Sequence, residues 1–327
     1  MPTSGNECWG AASRVRKRRT SAPIRGSGGG VGIQSVVVTG NCNVGGIVEG
    51  LAAVMPGLDV RGIPAWELET DDARGEAAEA IARADAWVRM PLPENEAIES
   101  HGVASEVVDL PNVVFSAFHP DAIYAVRGDG SIFRGLTDYH SAIGLWAWRQ
   151  GLAPGAAARL FTPKVMKMLT YDRYWEPSAL AMKADFAQSS LSFPAFWMRL
   201  KRSGVFMHTI NHPTGATLAL LAKAIAVRLG ASDAVWDMPA ERYVQDFLTH
   251  IVWPVYPWIG ESLGVPGCFR WKMEGRTFGG VEEWLTATWA VYGDVPPNDV
   301  VSHRIDDGVY DRVLGTAVDI LGVRTPS

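Results

Sequence analysis

One cysteine lies where a predicted strand turns into a predicted helix, in the stretch SVVVTGNCNVGG over residues 35–46. Cys42 is at the apex of this turn, flanked by Gly40, Asn41 and Asn43. The N–H groups at a helix start attract anions and lower the pKa of a thiol toward a reactive thiolate. The pattern therefore predicts a nucleophilic or ligand-contacting thiol. Alternatively, Cys42 is a small buried residue packed under the turn.

The turn does not fit the two common phosphate-binding motifs. The dinucleotide fingerprint GxGxxG needs a second glycine, but Gly40 is followed by Asn41 and Cys42. The P-loop needs a lysine after its last glycine, but Gly45 is followed by Gly46. Both nucleotide-binding interpretations therefore fail.

The stretch AFHPD follows a predicted strand and supplies His119 and Asp121. In a parallel sheet, this position is at the carboxyl edge, where ligands bind and where Cys42 is also expected. The two residues are therefore candidates for catalysis, with the carboxylate orienting a histidine. Alternatively, they form a local hydrogen bond that shapes a turn.

The stretch MHTINHPTG supplies His208, Asn211 and His212. We expect His208 on a short strand over 205–210. Pro213 and Thr214 are expected in the first turn of a helix, with His212 at its cap. A histidine at the positive end of a helix is biased toward its neutral form and can accept a proton. Alternatively, each histidine is a structural residue.

A basic stretch, RLKRSG, precedes the His208 segment and contains Lys201 and Arg202. These side chains are candidates for binding phosphate groups. The alternative is a solvated helix end.

The elements around these residues alternate between strand and helix in the first half of the chain. Strands are predicted over 35–39, 58–63, 85–90 and 112–118, and helices over 44–55 and 71–84. This alternation predicts an α/β fold with a parallel sheet and helices on its faces. A hairpin is predicted over 123–133. The second half is largely helical, with helices expected over 138–150, 154–170, 176–189, 193–203, 215–229 and 239–250.

Composition and charge narrow the class of protein. The 327 residues are 47 % hydrophobic and 20 % charged, typical of a globular chain. Residues 1–34 carry six basic residues and one acid, so the remainder has 24 basic and 34 acidic residues, or −10. An acidic body argues against nucleic-acid binding.

We expect 1–34 to be a disordered basic, glycine-rich arm. The α/β region is expected over 35–135 and a mostly helical region over 136–327, packed together as one catalytic unit. Three widely spaced cysteines predict neither a disulfide framework nor a metal site and fit a cytoplasmic location. No apolar run of about 18 residues predicts a membrane span.

The three motifs together resemble the WcbI-type polysaccharide-biosynthesis family, to which acetyl transfer is ascribed. The motifs are Gly40-Asn41-Cys42, Phe118-His119-Pro120-Asp121 and Asn211-His212-Pro213. The resemblance covers roughly 35–300, and Asn43 replaces the glutamine usual in the family. It implies binding of coenzyme A or acetyl-CoA and acetyl transfer to a sugar hydroxyl in capsule or exopolysaccharide assembly. By fold analogy, the layout is also similar to SGNH-type hydrolases.

Two catalytic routes are compatible with this resemblance. In one, the Cys42 thiolate takes the acetyl group, with His212 or His119 moving protons and Asp121 orienting a histidine. In the other, a histidine activates the sugar hydroxyl directly, while Cys42, Asn41 and the loop amides polarise the thioester oxygen.

The resemblance also implies ligand contacts for a set of residues. Candidates for CoA contact are Gly40, Asn41, Asn43, Lys201, Arg202, His208 and Asn211. The alternatives are an acyl-ester hydrolase with the same constellation, or a non-catalytic protein that binds CoA or carbohydrate.

Overall fold

A computed structural model describes residues 32–99 and 104–323. The arm predicted over 1–34 lies almost wholly outside the described residues. Within those two ranges, no helix is both long enough and apolar enough to cross a membrane.

Four parallel strands form the sheet of the N-terminal half. They are β1 (Ser35–Gly40), β2 (Asp59–Pro64), β3 (Ala86–Arg89) and β4 (Glu106–Asp109). Their spatial order is β2-β1-β3-β4, so β1, which leads into Cys42, is an inner strand. Val36 of β1 pairs with Val60 on one side and Ala86 on the other.

Helices cover both faces of this sheet. They are α1 (Val44–Val54), α2 (Asp71–Arg83) and α3 (Glu94–Glu99). Successive strand side chains point to opposite faces, so Val36 and Val38 join the larger core while Val37 packs with Trp87 in a smaller one. A parallel sheet covered on both faces requires such a continuous apolar strand. The predicted α/β class is confirmed.

The strand predicted over 112–118 is wrong, because the fourth strand is β4, which precedes it. The N–H of Phe115 donates to the carbonyl of Ile210 at 2.8 Å. Val113 and Phe115 are buried, whereas Asn112 and Val114 are exposed. The alternation of buried and exposed residues therefore reflects an extended segment that runs through the core. The motif with His119 follows a turn instead of a strand end.

The C-terminal half is largely helical, as predicted. Its helices are α4 (Ala142–Arg149), α5 (Pro154–Ala158), α6 (Pro163–Met168), α7 (Trp175–Ala187), α8 (Phe193–Leu200), α9 (Gly215–Arg228), α10 (Pro257–Leu263), α11 (Val281–Tyr292) and α12 (Val309–Leu321). Short 3-10 helices cover Ala65–Glu67, Tyr171–Arg173, Asp233–Asp237, Ala240–Arg242, Phe247–His250 and Pro297–Asp299.

Short antiparallel strands accompany these helices. β5 (Ala122–Ile123) pairs with β7 (His140–Ser141), and β6 (Val126–Arg127) pairs with β11 (Val300–Val301). β8 (Ile251–Val252), β9 (Trp271–Met273) and β10 (Arg276–Phe278) form a three-stranded sheet. The turn predicted at 128–130 is present, since the N–H of Gly130 donates to the carbonyl of Arg127 at 2.9 Å.

Two predicted helices are interrupted. The helix predicted over 154–170 breaks into α5 and α6 because Pro163 cannot continue a helix and Thr162 caps the next one through its side chain. The helix predicted over 239–250 is two separate 3-10 turns. Between them, Asp246 has φ −87° and ψ 77°, which is not helical.

The strand predicted over 205–210 is also wrong. The segment 206–214 folds back on itself: the N–H of His208 donates to the carbonyl of His212 at 2.7 Å, and that of Thr214 to Phe206 at 3.0 Å. Pro213 and Thr214 do not form the first turn of α9. Thr214 is its N-cap, with its side chain accepting from the N–H of Thr217.

Helices α1 and α9 pack closely and in parallel. A Cβ placed on Gly46 would collide with Leu218, and one on Gly50 would lie 2.6 Å from the Cβ of Ala222. The contact advances four residues along both helices in the same direction. The N-terminal ends of α1 and α9 therefore lie at the same end of the pair, which brings the Cys42 turn and the His212 segment together.

Candidate active site

The Cys42 turn is built from close backbone approach and one side-chain hydrogen bond. A Cβ on Gly40 would lie 2.7 Å from the sulfur of Met90, so a larger residue at the strand end would displace the Met90 side chain. The N–H of Asn43 donates to Asn41 Oδ1 at 3.0 Å, and the N–H of Val44 to the Asn41 carbonyl at 3.1 Å. Cys42 is partly buried at the apex. The predicted strand-to-helix turn is therefore present.

Asn43 occupies the N-cap position of α1 but does not cap the helix with its side chain. It is 1 % exposed, and its Oδ1 has no hydrogen-bond partner among the described residues. Buried polar atoms are normally paired, so an orphan at this turn is a candidate contact for a bound molecule.

Two tyrosine hydroxyls lie within electrostatic reach of the Cys42 thiol. Burial raises the pKa of Tyr124, and the charge of Cys42 raises it further. Burial also raises the pKa of Tyr139, again with a smaller contribution from Cys42. Both phenols therefore keep their protons near neutral pH.

Asn211 joins these tyrosines into one network. The Tyr139 hydroxyl donates to Asn211 Oδ1 at 2.5 Å, and Asn211 Nδ2 donates to the Tyr124 hydroxyl at 3.0 Å. Thr209 Oγ1 donates to the same Oδ1 at 3.3 Å. The network fixes the side chain of Asn211, a predicted contact residue, between the two tyrosines whose pKa values Cys42 influences.

His212 lies beside this network with its ring in the core. The ring is edge-on to Tyr139, with centroids 5.7 Å apart, and is also 5.7 Å from the ring of His250. His212 is 7 % exposed, and its Nδ1 has no hydrogen-bond partner in the described part of the chain. Burial, assisted by His250 and His208, lowers the pKa of His212 to about 4. The imidazole is therefore neutral near pH 7 and able to accept a proton.

His208 pairs with a carboxylate that the sequence did not identify. Its Nε2 lies 2.9 Å from both carboxylate oxygens of Asp246. Burial acts to raise the pKa of Asp246, but the hydrogen bond and charge of His208 and the N–H of Gly215 lower it, with a net decrease. Asp246 thus links His208 to the N-terminus of α9.

His119 is fully buried under the His208 segment. Its Nε2 lies 3.2 Å from the carbonyl oxygen of Met207 and its Nδ1 lies 3.3 Å from that of Pro254. Burial lowers the pKa of His119 to about 4, although both carbonyls oppose this. A neutral imidazole donates to one of them, so the ring braces the segment that carries His208.

Asp121 does not orient a histidine among the described residues, which corrects the expected Asp–His pair. Its carboxylate accepts from the hydroxyls of Ser141, Tyr171 at 2.9 Å and Tyr256 at 2.7 Å, and from the N–H of Ile143 at 3.0 Å. With four donors around it, Asp121 is a buried structural carboxylate.

Lys201 and Arg202 are exposed just beyond the C-terminal end of α8. Across the described ranges, no hydrogen bond or ion pair joins either side chain to the residues around Cys42. Their suggested contact with phosphates therefore stays a prediction.

Four residues of this site were missed from the sequence: Tyr124, Tyr139, Asp246 and His250. Lone tyrosines carry no spacing signal, and Asp246 and His250 lie within a segment predicted to be one helix. The signal available in the sequence was that this segment follows α9 along the chain. Among the residues with described positions, no cluster of three or more histidine, cysteine or carboxylate side chains is arranged to hold a metal ion.

Comparisons with known proteins agree with this architecture. No curated protein matches the chain. A solved structure of WcbI, described as a novel polysaccharide biosynthesis enzyme, superposes with a TM-score of 0.69 at 15 % identity, covering 88 % of this chain and 98 % of its own. That structure is described as the native protein without a disulfide bond between CoA and one of its cysteines. At this identity, the likeness shows a shared fold.

The family comparison goes further than the fold. The family model for the polysaccharide biosynthesis enzyme WcbI matches residues 35–234. This range is more than half of the 327 residues and includes all three motifs. The chain belongs to the WcbI family of polysaccharide biosynthesis enzymes.

Proposed function

We propose that this protein transfers an acetyl group from acetyl-CoA to a sugar hydroxyl during capsule or exopolysaccharide assembly. The observation that carries the proposal is the buried, neutral ring of His212, whose Nδ1 has no hydrogen-bond partner among the described residues and which lies against Tyr139. A related protein also supports the proposal, since the description of the solved WcbI structure mentions CoA and one of its cysteines.

In the first half-reaction, Cys42 is the nucleophile. Its sulfur attacks the carbonyl carbon of the CoA thioester as His212 takes the thiol proton. The bond from that carbon to the CoA sulfur then breaks, and the proton on His212 passes to the leaving thiolate. The products are acetyl-Cys42 and free CoA, so atoms and charge balance.

The second half-reaction repeats this geometry with a sugar hydroxyl. His212, neutral again, accepts the hydroxyl proton while the oxygen attacks the acetyl carbon on Cys42. The sulfur leaves and recovers the proton, giving the O-acetyl sugar and the resting thiol. A single base thus serves both halves because burial keeps it unprotonated between them.

Several residues around the thiol are suited to holding the co-substrate. The orphan Asn43 Oδ1 is an acceptor for an N–H group, such as those of the pantetheine amides of CoA. Gly40, Asn41, His208 and Asn211 line the same turn and loop. The exposed Lys201 and Arg202 are the proposed partners of CoA phosphates.

The first experiment is calorimetric titration with CoA and acetyl-CoA in reducing buffer, followed by intact-mass measurement of the protein. We expect saturable binding and one added acetyl group that maps to Cys42. Cys42→Ser should abolish the thiol-linked acetyl group, whereas the control Cys268→Ser, at an exposed cysteine, should not.

The arms of this experiment separate the alternatives. No binding at millimolar ligand would reject the acetyl-CoA proposal. Binding with turnover but without acetyl-Cys42 would support direct attack by the sugar. Turnover of an aryl acetate with neither CoA nor sugar would support a hydrolase.

A further inference from the structure

A cavity of about 500 Å³ lies at the carboxyl edge of the parallel sheet. Its walls are the stretches that follow β3 and β4, at 90–92 and 110–112, together with α3 and the C-terminal end of α7. The volume is within the range of small-molecule sites, about 300–1,000 Å³. The half-reactions proposed above use none of the residues that line this cavity.

The cavity borders the point where the sheet changes direction. From β1 the chain passes through α1 to β2 on one side, whereas β3 lies on the other side of β1 and leads to β4. Ligands of open parallel sheets bind in the crevice at such a switch point. Met90 follows β3, lines the cavity and lies against Gly40, where a Cβ would be 2.7 Å from its sulfur. The Met90 side chain is therefore the wall between the cavity and the Cys42 turn.

The strand spacing gives the distance from the cavity to this turn. Neighbouring strands are about 4.8 Å apart, so the ends of β3 and β4 lie about 5 and 10 Å from the end of β1. Gly40 ends β1, two residues before Cys42. A sugar residue bound above β3 and β4 can therefore extend to the Cys42 turn.

Three polar side chains of the lining, Asn112, Asp185 and Gln188, have no partner in the described protein. Within residues 32–99 and 104–323, no hydrogen bond or ion pair holds any of them. Burial raises the pKa of Asp185, and no neighbouring cation acts in the opposite direction. An amide donates and accepts hydrogen bonds, and a carboxylate accepts them. These groups match sugar hydroxyls, which both donate and accept.

The charge of the lining disfavours an anionic ligand. Among its described residues, Arg89 is the one cation, and it is already paired: its Nε lies 2.6 Å from Asp109 Oδ1, and its Nη1 contacts Glu99. Glu96 and Asp185 bring the carboxylates to four, so the lining carries +1 − 4, or −3. A cleft of this sign repels phosphate groups. The cavity is therefore unsuited to the phosphate end of CoA and fits an uncharged ligand.

Apolar side chains complete the lining. Met90 and Leu110 are 1 % and 3 % exposed, and Leu92 is partly buried. A few polar groups set in an apolar surface are typical of a ligand pocket. A sugar ring carries hydroxyls around its rim and C–H groups on its faces, so it presents the same two kinds of surface.

We propose that this cavity is the acceptor site, which binds an uncharged sugar residue and presents one of its hydroxyls to acetyl-Cys42. Asp185 accepts a hydrogen bond from one sugar hydroxyl, and the amides of Asn112 and Gln188 hold others. This inference rests on the proposed acetyl transfer and adds the place where its second substrate binds. Because these residues bind the acceptor alone, they do not affect the acetylation of Cys42 by acetyl-CoA.

The test titrates the full-length protein with D-glucose, D-galactose and D-mannose, followed by saturation-transfer NMR. We expect at least one of these uncharged hexoses to bind the wild-type protein at millimolar concentration. Asp185→Asn removes the charge with little change of shape. It should raise the dissociation constant of that hexose about tenfold, the effect of losing a hydrogen bond to a charged group. Gln188→Trp, which places a large side chain in the cavity, should abolish binding.

Two controls accompany these variants. Asp172→Asn, at an exposed carboxylate outside the cavity, should bind the hexose as the wild-type protein does. The uronate of the same hexose, which has a carboxylate in place of its CH₂OH group, should bind more weakly because the lining is negative. All three variants should bind CoA as tightly as the wild-type protein.

The outcomes separate the acceptor site from the proposed function. If no hexose binds the wild-type protein, or if Asp185→Asn and Gln188→Trp bind it equally well, the acceptor site is overturned. Acetylation of Cys42 would then leave the first half-reaction standing. Weaker binding of the hexose and of CoA alike would also overturn the inference. Weaker binding of the hexose alone, in a protein that never acetylates it, would keep the sugar site and reject the transferase.

Discussion

This protein has two buried polar clusters, one around Asp121 and one around Cys42 and His212, and both contain residues of the sequence motifs. They differ in how their polar atoms are paired. Around Asp121, each of the two carboxylate oxygens accepts two hydrogen bonds, and the four donors lie on three other segments of the chain. Around Cys42 and His212, the atoms Asn43 Oδ1 and His212 Nδ1 are buried without partners among the described residues. Satisfied clusters fix a fold, whereas orphaned atoms are what a ligand would satisfy. The difference distinguishes the structural role of Asp121 from the chemical role proposed for Cys42 and His212.

Asp121→Ala should have the largest effect, on stability. It leaves two tyrosine hydroxyls, a serine hydroxyl and a backbone N–H without their charged acceptor. We expect the free energy of unfolding to fall by at least about 4 kcal/mol in urea denaturation. Asp121→Asn, which keeps one acceptor oxygen, should lose less, and the exposed Asp172→Ala should lose nothing measurable. A fully stable Asp121→Ala protein would contradict the structural assignment.

His212→Phe should reverse this pattern. Removing the base should slow acetylation of Cys42 by about 10²- to 10⁴-fold. Stability should stay equal or rise slightly, because the variant removes a buried nitrogen that has no partner. Single-turnover rates and urea denaturation measure the two effects, with the exposed His303→Gln as control. A large loss of stability with little loss of rate would place His212 in the structural class.

Acid should weaken the fold through the buried histidines. Burial lowers the pKa of His119, His140 and His212 to about 4, below the ordinary value of 6.5. As pH falls, the unfolded chain binds these protons first, so stability is full above about pH 6.5 and is lost between 6.5 and 4. His212→Phe should reduce the slope by one proton, about 1.4 kcal/mol per pH unit. Urea denaturation at several pH values measures it, and an unchanged slope would contradict the burial of a neutral ring.

The smallest effect is expected at the exposed basic pair. The double variant Lys201→Ala with Arg202→Ala should raise the CoA dissociation constant about three- to tenfold in low salt, and less in high salt because exposed charges are screened. Calorimetry measures it. The exposed pair Lys164→Ala with Lys167→Ala is the control. Equal effects from both pairs would show a general charge effect without a phosphate site.

Local patterns predicted the parts of the fold and site that depend on neighbouring residues. The valine run, the glycine turn and the cysteine specified β1, the tight turn and α1 together. The segment 112–118 misled because an extended core segment and a strand share the same alternation of buried and exposed residues. Asn211 and His212 were identified by their motif, although the strand assigned before them is a folded-back loop.

The remainder of the site depends on long-range packing. Tyr124 contacts Asn211, and Asp246 contacts His208, from segments far away in the chain, and no periodicity marks either residue. Asp121 was expected to orient a histidine because His119 is two residues away. The hydrogen-bond donors to Asp121 instead include Tyr171 and Tyr256, which are distant in the sequence and close only in the folded chain.

The glycine seam between α1 and α9, formed by Gly46 and Gly50, sets the distance between the Cys42 turn and the His212 segment. Gly50 lies about two helical turns from Cys42 and touches neither reacting group, yet a methyl group there would meet Ala222 at 2.6 Å. To relieve that clash, one helix must slide or tilt. The proposed nucleophile precedes the N-terminal end of α1, and the proposed base precedes that of α9. Gly50→Ala would therefore shift the N-terminal ends of α1 and α9 relative to each other. The size of the side chains that fit between α1 and α9 therefore limits how Cys42 and His212 can be placed relative to each other, and with that the chemistry the fold can support.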